Sequence, residues 1–366
     1  MRIVIAPDKF AGTLTAAEAA RAVAEGWLRA DPEARTDLVP LSDGGPGFVE
    51  VLHTALGGRI REAEVCGPLG APVRASYLLD GDTAYIETSQ ACGLHLVPAR
   101  ERDPGRTTTR GVGELLALAV ADGARTVVLG LGGSATNDAG AGMLAALGAG
   151  PAEPLSSGGL ALTGVGTVDL APAVRALEGV RLVAATDVDN PLLGIHGAGA
   201  VFGPQKGADP DLVQRLDAAL AAFADRTDPG GTVREEPGSG AAGGLGFALL
   251  LLGASVESGV GRVLSAVRLA ERLAGADLVV TGEGSFDHQS LRGKLPHGVA
   301  RLAGEHAVPC VVTAGRVAVG RAEAAAAGIT ETWSLTESAG SVEAAMARPA
   351  EELRDLAAAV ARRWRN

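Results

Sequence analysis

Lysine is nearly missing from this chain of 366 residues. Of its 32 basic residues only Lys9, Lys206 and Lys294 are lysines, and all three lie in glycine-containing loops, APDKFAG, GPQKGA and LRGKLP. Asparagine is as scarce, at Asn137, Asn190 and the C-terminal Asn366. A composition rich in Ala, Gly, Arg and Pro turns generic surface cations into arginine. A lysine that persists marks a place where a compact point charge is needed and a planar guanidinium does not fit. Cysteine is limited to Cys66, Cys92 and Cys310, too few and too widely spaced for a disulfide framework or a metal knuckle. The histidines (His53, His95, His196, His288, His297 and His306) show no ligand spacing and complete no Ser-His-Asp set, so zinc chemistry and serine hydrolysis have no support. No apolar run approaches a membrane span; Phe247–Leu252 is far too short. A net charge of −11 speaks against nucleic acid as a partner. The opening MRIVIAPDKF reads as a buried strand rather than a signal peptide. The expectation is a cytoplasmic enzyme acting on a small molecule, with no membrane partner and with homo-oligomerisation left open.

What is present alternates between short apolar runs and helical periodicity. Strands are expected at 2–6, 36–41, 277–281, 309–313 and 330–335, with a helix from Thr13 or Thr15 to about Ala30, another to about Leu56, and others after Pro296 and over 341–364. Five apolar strands alternating with helices predict a parallel sheet covered on both faces. The sheet is split in sequence, so the fold class is α/β: a flavodoxin-like domain of residues 1–57 and 276–366 interrupted by a second α/β domain of residues 58–275. In the insertion, runs 72–79 and 83–88 flank Asp80-Gly81-Asp82 as a hairpin. Strands at 126–131 and 181–186, a Gly-rich loop and helix within 132–148, and helices at 111–122, 209–226, 241–253 and 257–274 complete it.

The chemistry-bearing residues gather in loops. In TVVLGLGGSATNDAGAG a strand meets a glycine turn and a helix start. Gly132 and Gly133 would let a ligand approach the backbone, and Ser134, Thr136, Asn137 and Asp138 would cap the helix while its free N–H groups face an anion. It is neither a Walker loop nor a dinucleotide fingerprint; the plainer reading is an ordinary capped helix. Lys206 in FGPQKGA would reach a phosphate as a mobile point charge. In ATDVDNPLLG, Asp187 would take a hydroxyl proton or hold Mg²⁺ through water, with an Asx-turn as the plainer reading. Asp8, Lys9, Asp43, Glu283 and Asp287 all follow apolar strands of the first domain and are expected on one rim, where open parallel sheets bind ligands. Arg110 in TTTRG would hold a carboxylate by a two-pronged hydrogen bond, or would be one of many surface arginines.

Taken together, these segments resemble the type I bacterial glycerate kinase family. IVIAPD, SDGG, GPLG, IET with GLHLVP, RDP with TTTRG, GLGGSATNDAGAGM, DVDNPLLG, FGPQKGA, GSGAAGGLG and TGEGSFDHQS with GK occur in order from end to end. The resemblance implies transfer of the ATP γ-phosphoryl group to a hydroxyl of D-glycerate with Mg²⁺, giving the 2-phosphate. The glycine loop from Gly132 to Asp138 and Lys206 are expected at phosphate, and Asp187, or else Asp43, at the hydroxyl proton. Lys9 and Arg110 are assigned to the substrate carboxylate, Asp8, Asn190, Glu283, Asp287 and Lys294 to further substrate contacts, and Asp187 and Glu283 to Mg²⁺. Three positions depart from the family pattern: Ala11 replaces a usual lysine, Pro46 a usual acid (with Phe48 for a usual Thr), and Ser285 a usual arginine. They leave open a paralogue that phosphorylates another hydroxy-acid and a sensor that binds without chemistry.

Overall fold

A computed structural model describes residues 1–10, 12–291 and 294–365. The departure at Ala11 therefore lies outside the described residues. In chain order the strands are β1 (Arg2–Pro7), β2 (Arg35–Leu38), β3 (Arg59–Cys66), β4 (Pro72–Asp80), β5 (Thr83–Glu87), β6 (Thr126–Gly130), β7 (Arg181–Ala185), β8 (Ser255–Glu257), β9 (Leu278–Phe286), β10 (Cys310–Val317) and β11 (Glu331–Ser334). The chain forms two compact units, Met1–Asp43 with Val260–Asn366, and Gly44–Gly259.

In the first unit the sheet runs β2-β1-β9-β10-β11 and every pairing is parallel. Counting only this unit's strands, the order is 2-1-3-4-5, that of flavodoxin-like folds, whose ligands bind beyond the strand carboxyl ends where the order reverses. Here that point lies between β1 and β9. Ile3, Ile5, Leu278, Val280 and Val311 pack with Trp27, Leu353 and Leu356 of the helices Ala16–Ala30 and Pro349–Trp364. Thr15 starts the first of these helices: its hydroxyl accepts from Glu18 N, and Glu18 Oε2 accepts from Thr15 N. Such a reciprocal cap satisfies two backbone donors that would otherwise be left open.

The second unit holds a six-stranded mixed sheet, β3-β4-β5-β6-β7-β8. The expected hairpin is present as β4 and β5, and β3 adds an antiparallel edge that sequence periodicity did not mark. β5 through β8 are parallel, so β6 and β7 end side by side, with Gly130 opposite Ala185.

Several expectations need correction. The helix Phe48–Leu56 belongs to the second unit, where Phe48 meets Tyr85 edge-on at 6.4 Å between ring centroids. The helical residues after Val260 belong to the first unit, where Arg272 Nη1 bonds Asp37 Oδ1 at 2.7 Å. The unit boundaries are therefore 43/44 and 259/260 rather than 57/58 and 275/276, because an amphipathic helix reads the same whichever sheet it covers. The stretch expected as one helix over 257–274 is β8 followed by Gly259–Ala266 and Leu269–Leu273, broken at Arg268 with φ of 54°. The Gly-rich loop and helix expected within 132–148 are present, the helix being Ala141–Ala146 after a long loop. Finally, β9 continues to Phe286, so Glu283 and Ser285 sit in a strand instead of the loop after it.

Candidate functional site

Two groups of residues, one in each unit, gather the chemistry that the motifs suggested. In the second unit the loop after β6 closes on Lys206. The Lys206 Nζ donates to Ser134 Oγ at 3.0 Å and to Thr136 O at 2.6 Å, and the side chain is only 2% exposed. Burial pulls its pKa down to about 8, against the opposing pull of Cys92 and Asp138. An ammonium has three donors, so two are engaged here. Asn137 is wholly buried with neither amide atom hydrogen-bonded, which is rare for a buried amide and points to a missing polar partner.

The glycines of this loop serve the protein's own packing. A Cβ on Gly132 would fall 2.5 Å from Gly45 Cα, and one on Gly133, with φ of 78°, 2.8 Å from Pro46 Cδ. The departure at Pro46 thus rests against the loop. Close packing therefore requires glycine at both positions.

Asp138 also faces inward. Its Oδ2 accepts from Thr109 N (2.8 Å), Thr109 Oγ1 (2.9 Å) and Gly142 N (3.3 Å), and its Oδ1 from Gly140 N (3.1 Å). Burial raises its pKa, although these donors pull it back. With both oxygens engaged by donors of the protein itself, it anchors the loop. Thr107 Oγ1 adds a bond to Ala135 O at 3.0 Å, so the TTTRG hydroxyls build the loop from behind. Asp138→Asn would put an amide donor among backbone donors and is expected to lose roughly 2–4 kcal/mol of stability. An unchanged urea midpoint would refute the anchoring role.

Asp187 follows β7, beside the loop after β6, and its Oδ1 accepts from Ser258 Oγ at 2.5 Å. Asn190 closes its own loop, donating from Nδ2 to His196 O at 2.8 Å. Arg110 is engaged by protein groups: its Nε bonds Glu114 Oε1 at 3.0 Å along the helix, and its Nη1 reaches Ser156 Oγ at 3.4 Å, a tie between helices.

In the first unit the rim residues do converge. The Lys9 Nζ lies 3.4 Å from Asp8 Oδ1 and 3.3 Å from Asp43 Oδ1. Burial opposes the Lys9 charge, yet Asp43 and Asp8 outweigh it and hold the ammonium above the ordinary lysine range. Asp8 is pushed up to about 7, first by burial and then by Asp43, with Glu283 adding to the rise and Lys9 opposing it. Glu283 also reaches about 7, through burial, with Asp287 and Asp43 adding and with Ser290 and Lys294 pulling it back. Its Oε1 is buried without a hydrogen-bond partner. Asp287 Oδ1 accepts from Gln289 N at 2.8 Å, closing a tight turn, and Lys294 precedes the helix Leu295–Glu305. Lys9 is thus already paired with two carboxylates of the protein.

Two carboxylates poised near neutrality at the reversal point of a parallel sheet suit proton transfer from a hydroxyl. For Mg²⁺ the donor set is thin: among the described residues no three His, Cys, Asp or Glu groups are placed to hold a metal. Mg²⁺ commonly binds one or two carboxylates plus phosphate oxygens and water. Asp187 lies in the second unit and Glu283 in the first. Also among the described residues, no helix is long and apolar enough to cross a membrane.

Comparison with known proteins bears on the whole chain. A family model described as "Glycerate kinase family" matches residues 3–365. A protein named glycerate kinase from Bacillus subtilis (strain 168) is 44% identical over 373 residues, covering 98% of both chains. A glycerate 2-kinase from Escherichia coli (strain K12) is 40% identical over 379 residues, covering 100% of both. A crystal structure of a proposed glycerate kinase 2 from Salmonella typhimurium LT2 superposes with a TM-score of 0.79 at 40% identity, covering 100% of this chain and 98% of that one.

Proposed function

This chain belongs to the glycerate kinase family, whose reaction is the phosphorylation of glycerate, and we propose that it uses ATP with Mg²⁺ and forms 2-phosphoglycerate. The observation that carries the nucleotide assignment is the buried Lys206 bonded to Ser134 and Thr136, beside an Asn137 amide with no partner. A phosphate tail supplies the oxygens that such donors lack, and a positive charge beneath the loop offsets its negative charge. Bound ATP would supply the phosphoryl group, and Mg²⁺ would neutralise its oxygens.

Within the first unit we assign the hydroxyl proton to Asp8 ahead of Asp187 or Asp43. One Asp8 oxygen is held by the Lys9 backbone N–H at 2.7 Å and by its ammonium, and the carboxylate's affinity for a proton is already near neutral. Asp43 shares Lys9 with Asp8, and Asp187 Oδ1 accepts from Ser258, so the raised proton affinity is what favours Asp8. Glu283, next to Asp8 electrostatically, tunes it and binds the substrate hydroxyls.

The direct test is ADP release coupled to D-glycerate addition, with phosphorus NMR of the product. ATP consumption with a 2-phosphate signal is expected. A 3-phosphate signal would overturn the regiochemistry, and turnover of another hydroxy-acid with none of D-glycerate would overturn the substrate.

A further inference from the structure

An anionic substrate needs a cation that the protein has not already neutralised. Lys9 sits between two carboxylates, and Arg110 is tied to Glu114. The register of the first sheet brings another candidate to the same rim. Ala314 pairs with Glu283, and two residues further on Arg316 pairs with Ser285. Side chains two apart on a strand share a face, as do paired neighbours. Glu283, Ala314, Ser285 and Arg316 therefore lie on one face at the carboxyl ends of the central strands. Pro7, just before Asp8, pairs with Gly282 on the other side of β9. The face thus has carboxyl groups at one end, two small residues in the middle and a guanidinium at the far end. Arg316 is exposed, and among the described residues no hydrogen bond or ion pair engages it.

We infer that Arg316 binds the carboxylate of the hydroxy-acid, lying over Ala314 and Ser285 while the substrate hydroxyl faces Asp8 and Glu283. This rests on the reaction proposed above and names the residue that selects an acid over a neutral polyol. It also gives Ser285 a physical reading. Ser285, paired with Arg316 across the strands, is small enough to leave room for the guanidinium over it. Arginine suits this task because its planar fork matches a carboxylate with two parallel bonds.

The test is steady-state kinetics on Arg316→Ala and Arg316→Lys, together with calorimetric binding of D-glycerate in the absence of nucleotide. Arg316→Ala is expected to raise the KM for D-glycerate, and its dissociation constant, by about 10²-fold, with the KM for ATP unchanged. Arg316→Lys is expected to fall between, keeping charge without the fork. Glycerol, which lacks the carboxylate, is expected to react as poorly with Arg316→Ala as with wild type. The exchange Arg316→Ser with Ser285→Arg is expected to restore much of the affinity, which a merely structural role would not do. Wild-type turnover of D-glycerate with an unchanged KM in Arg316→Ala would overturn the inference alone. Absence of wild-type turnover would instead strike the proposed reaction, and calorimetry would then still decide whether Arg316 holds the acid.

Discussion

Lys206→Ala is expected to lower kcat/KM for phosphoryl transfer by on the order of 10³-fold, the scale seen when a preorganised charge-stabilising donor is removed. The reason is twofold. The ammonium carries the positive charge under the loop, and its bonds to Ser134 Oγ and Thr136 O hold the loop's shape. Arginine is not expected to rescue it, since a planar fork does not fit a site where the side chain is 2% exposed. Lys206→Met separates chemistry from folding. Folding lowers the Lys206 pKa from 10.5 to about 8, so the folded chain holds fewer protons than the unfolded one between those values. Stability therefore rises with pH through that window, and the cost of burying the charge is fully felt below about 8. Lys206→Met is accordingly expected to melt no lower than wild type at pH 7 while remaining inactive. A Lys206→Met enzyme with near wild-type turnover would remove the lysine from the reaction.

Asp8→Asn is expected to cost about 10²–10⁴-fold in kcat, the usual range for loss of a positioned general base. Its stability effect runs the other way. The folded-state pKa of Asp8 is raised from 3.8 to about 7, so the folded chain binds more protons than the unfolded one in that interval. Stability is lost as pH rises from about 4 to about 7, and the full penalty stands above 7. Asp8→Asn removes an ionised group from a buried, acid-rich setting, so its melting temperature should exceed that of wild type most clearly at pH 8. The two lines of reasoning meet in the pH profile. Wild-type kcat/KM should be bell-shaped, with an acid limb near 7 and an alkaline limb near 8. Because Asp8 and Glu283 are electrostatically coupled, the acid limb belongs to the pair. Asp8→Asn should flatten what activity remains on the acid side. An acid limb unchanged in that variant would assign the proton to another group.

Much of the architecture was readable in one dimension because its causes are local. Apolar runs such as Leu278–Thr281 and Cys310–Thr313, short and separated by helical periodicity, read as buried parallel strands, and their split placement announces an interrupted sheet. The scarcity of lysine pointed to Lys206 and Lys9, and both are ordered by specific partners. Local signals failed where partners come from far along the chain. Asp138 looks like a phosphate contact in GGSATND, and only the arrival of Thr109, 29 residues away, turns it into an anchor. Arg110 looks like a carboxylate clamp until Glu114 appears one helical turn later, on the same face.

By itself, the order of residues determined the family, the α/β class and the loops in which the polar motifs lie. Motif spacing and hydrophobic period are carried by covalent sequence and need no partner to be read. Tertiary structure alone decided which charges are already neutralised, which glycines face protein rather than ligand, and which strand sets a guanidinium opposite Ser285. Those properties depend on distance and burial, and distance between Lys9 and Asp43, or between Ser285 and Arg316, exists only once the sheet has formed.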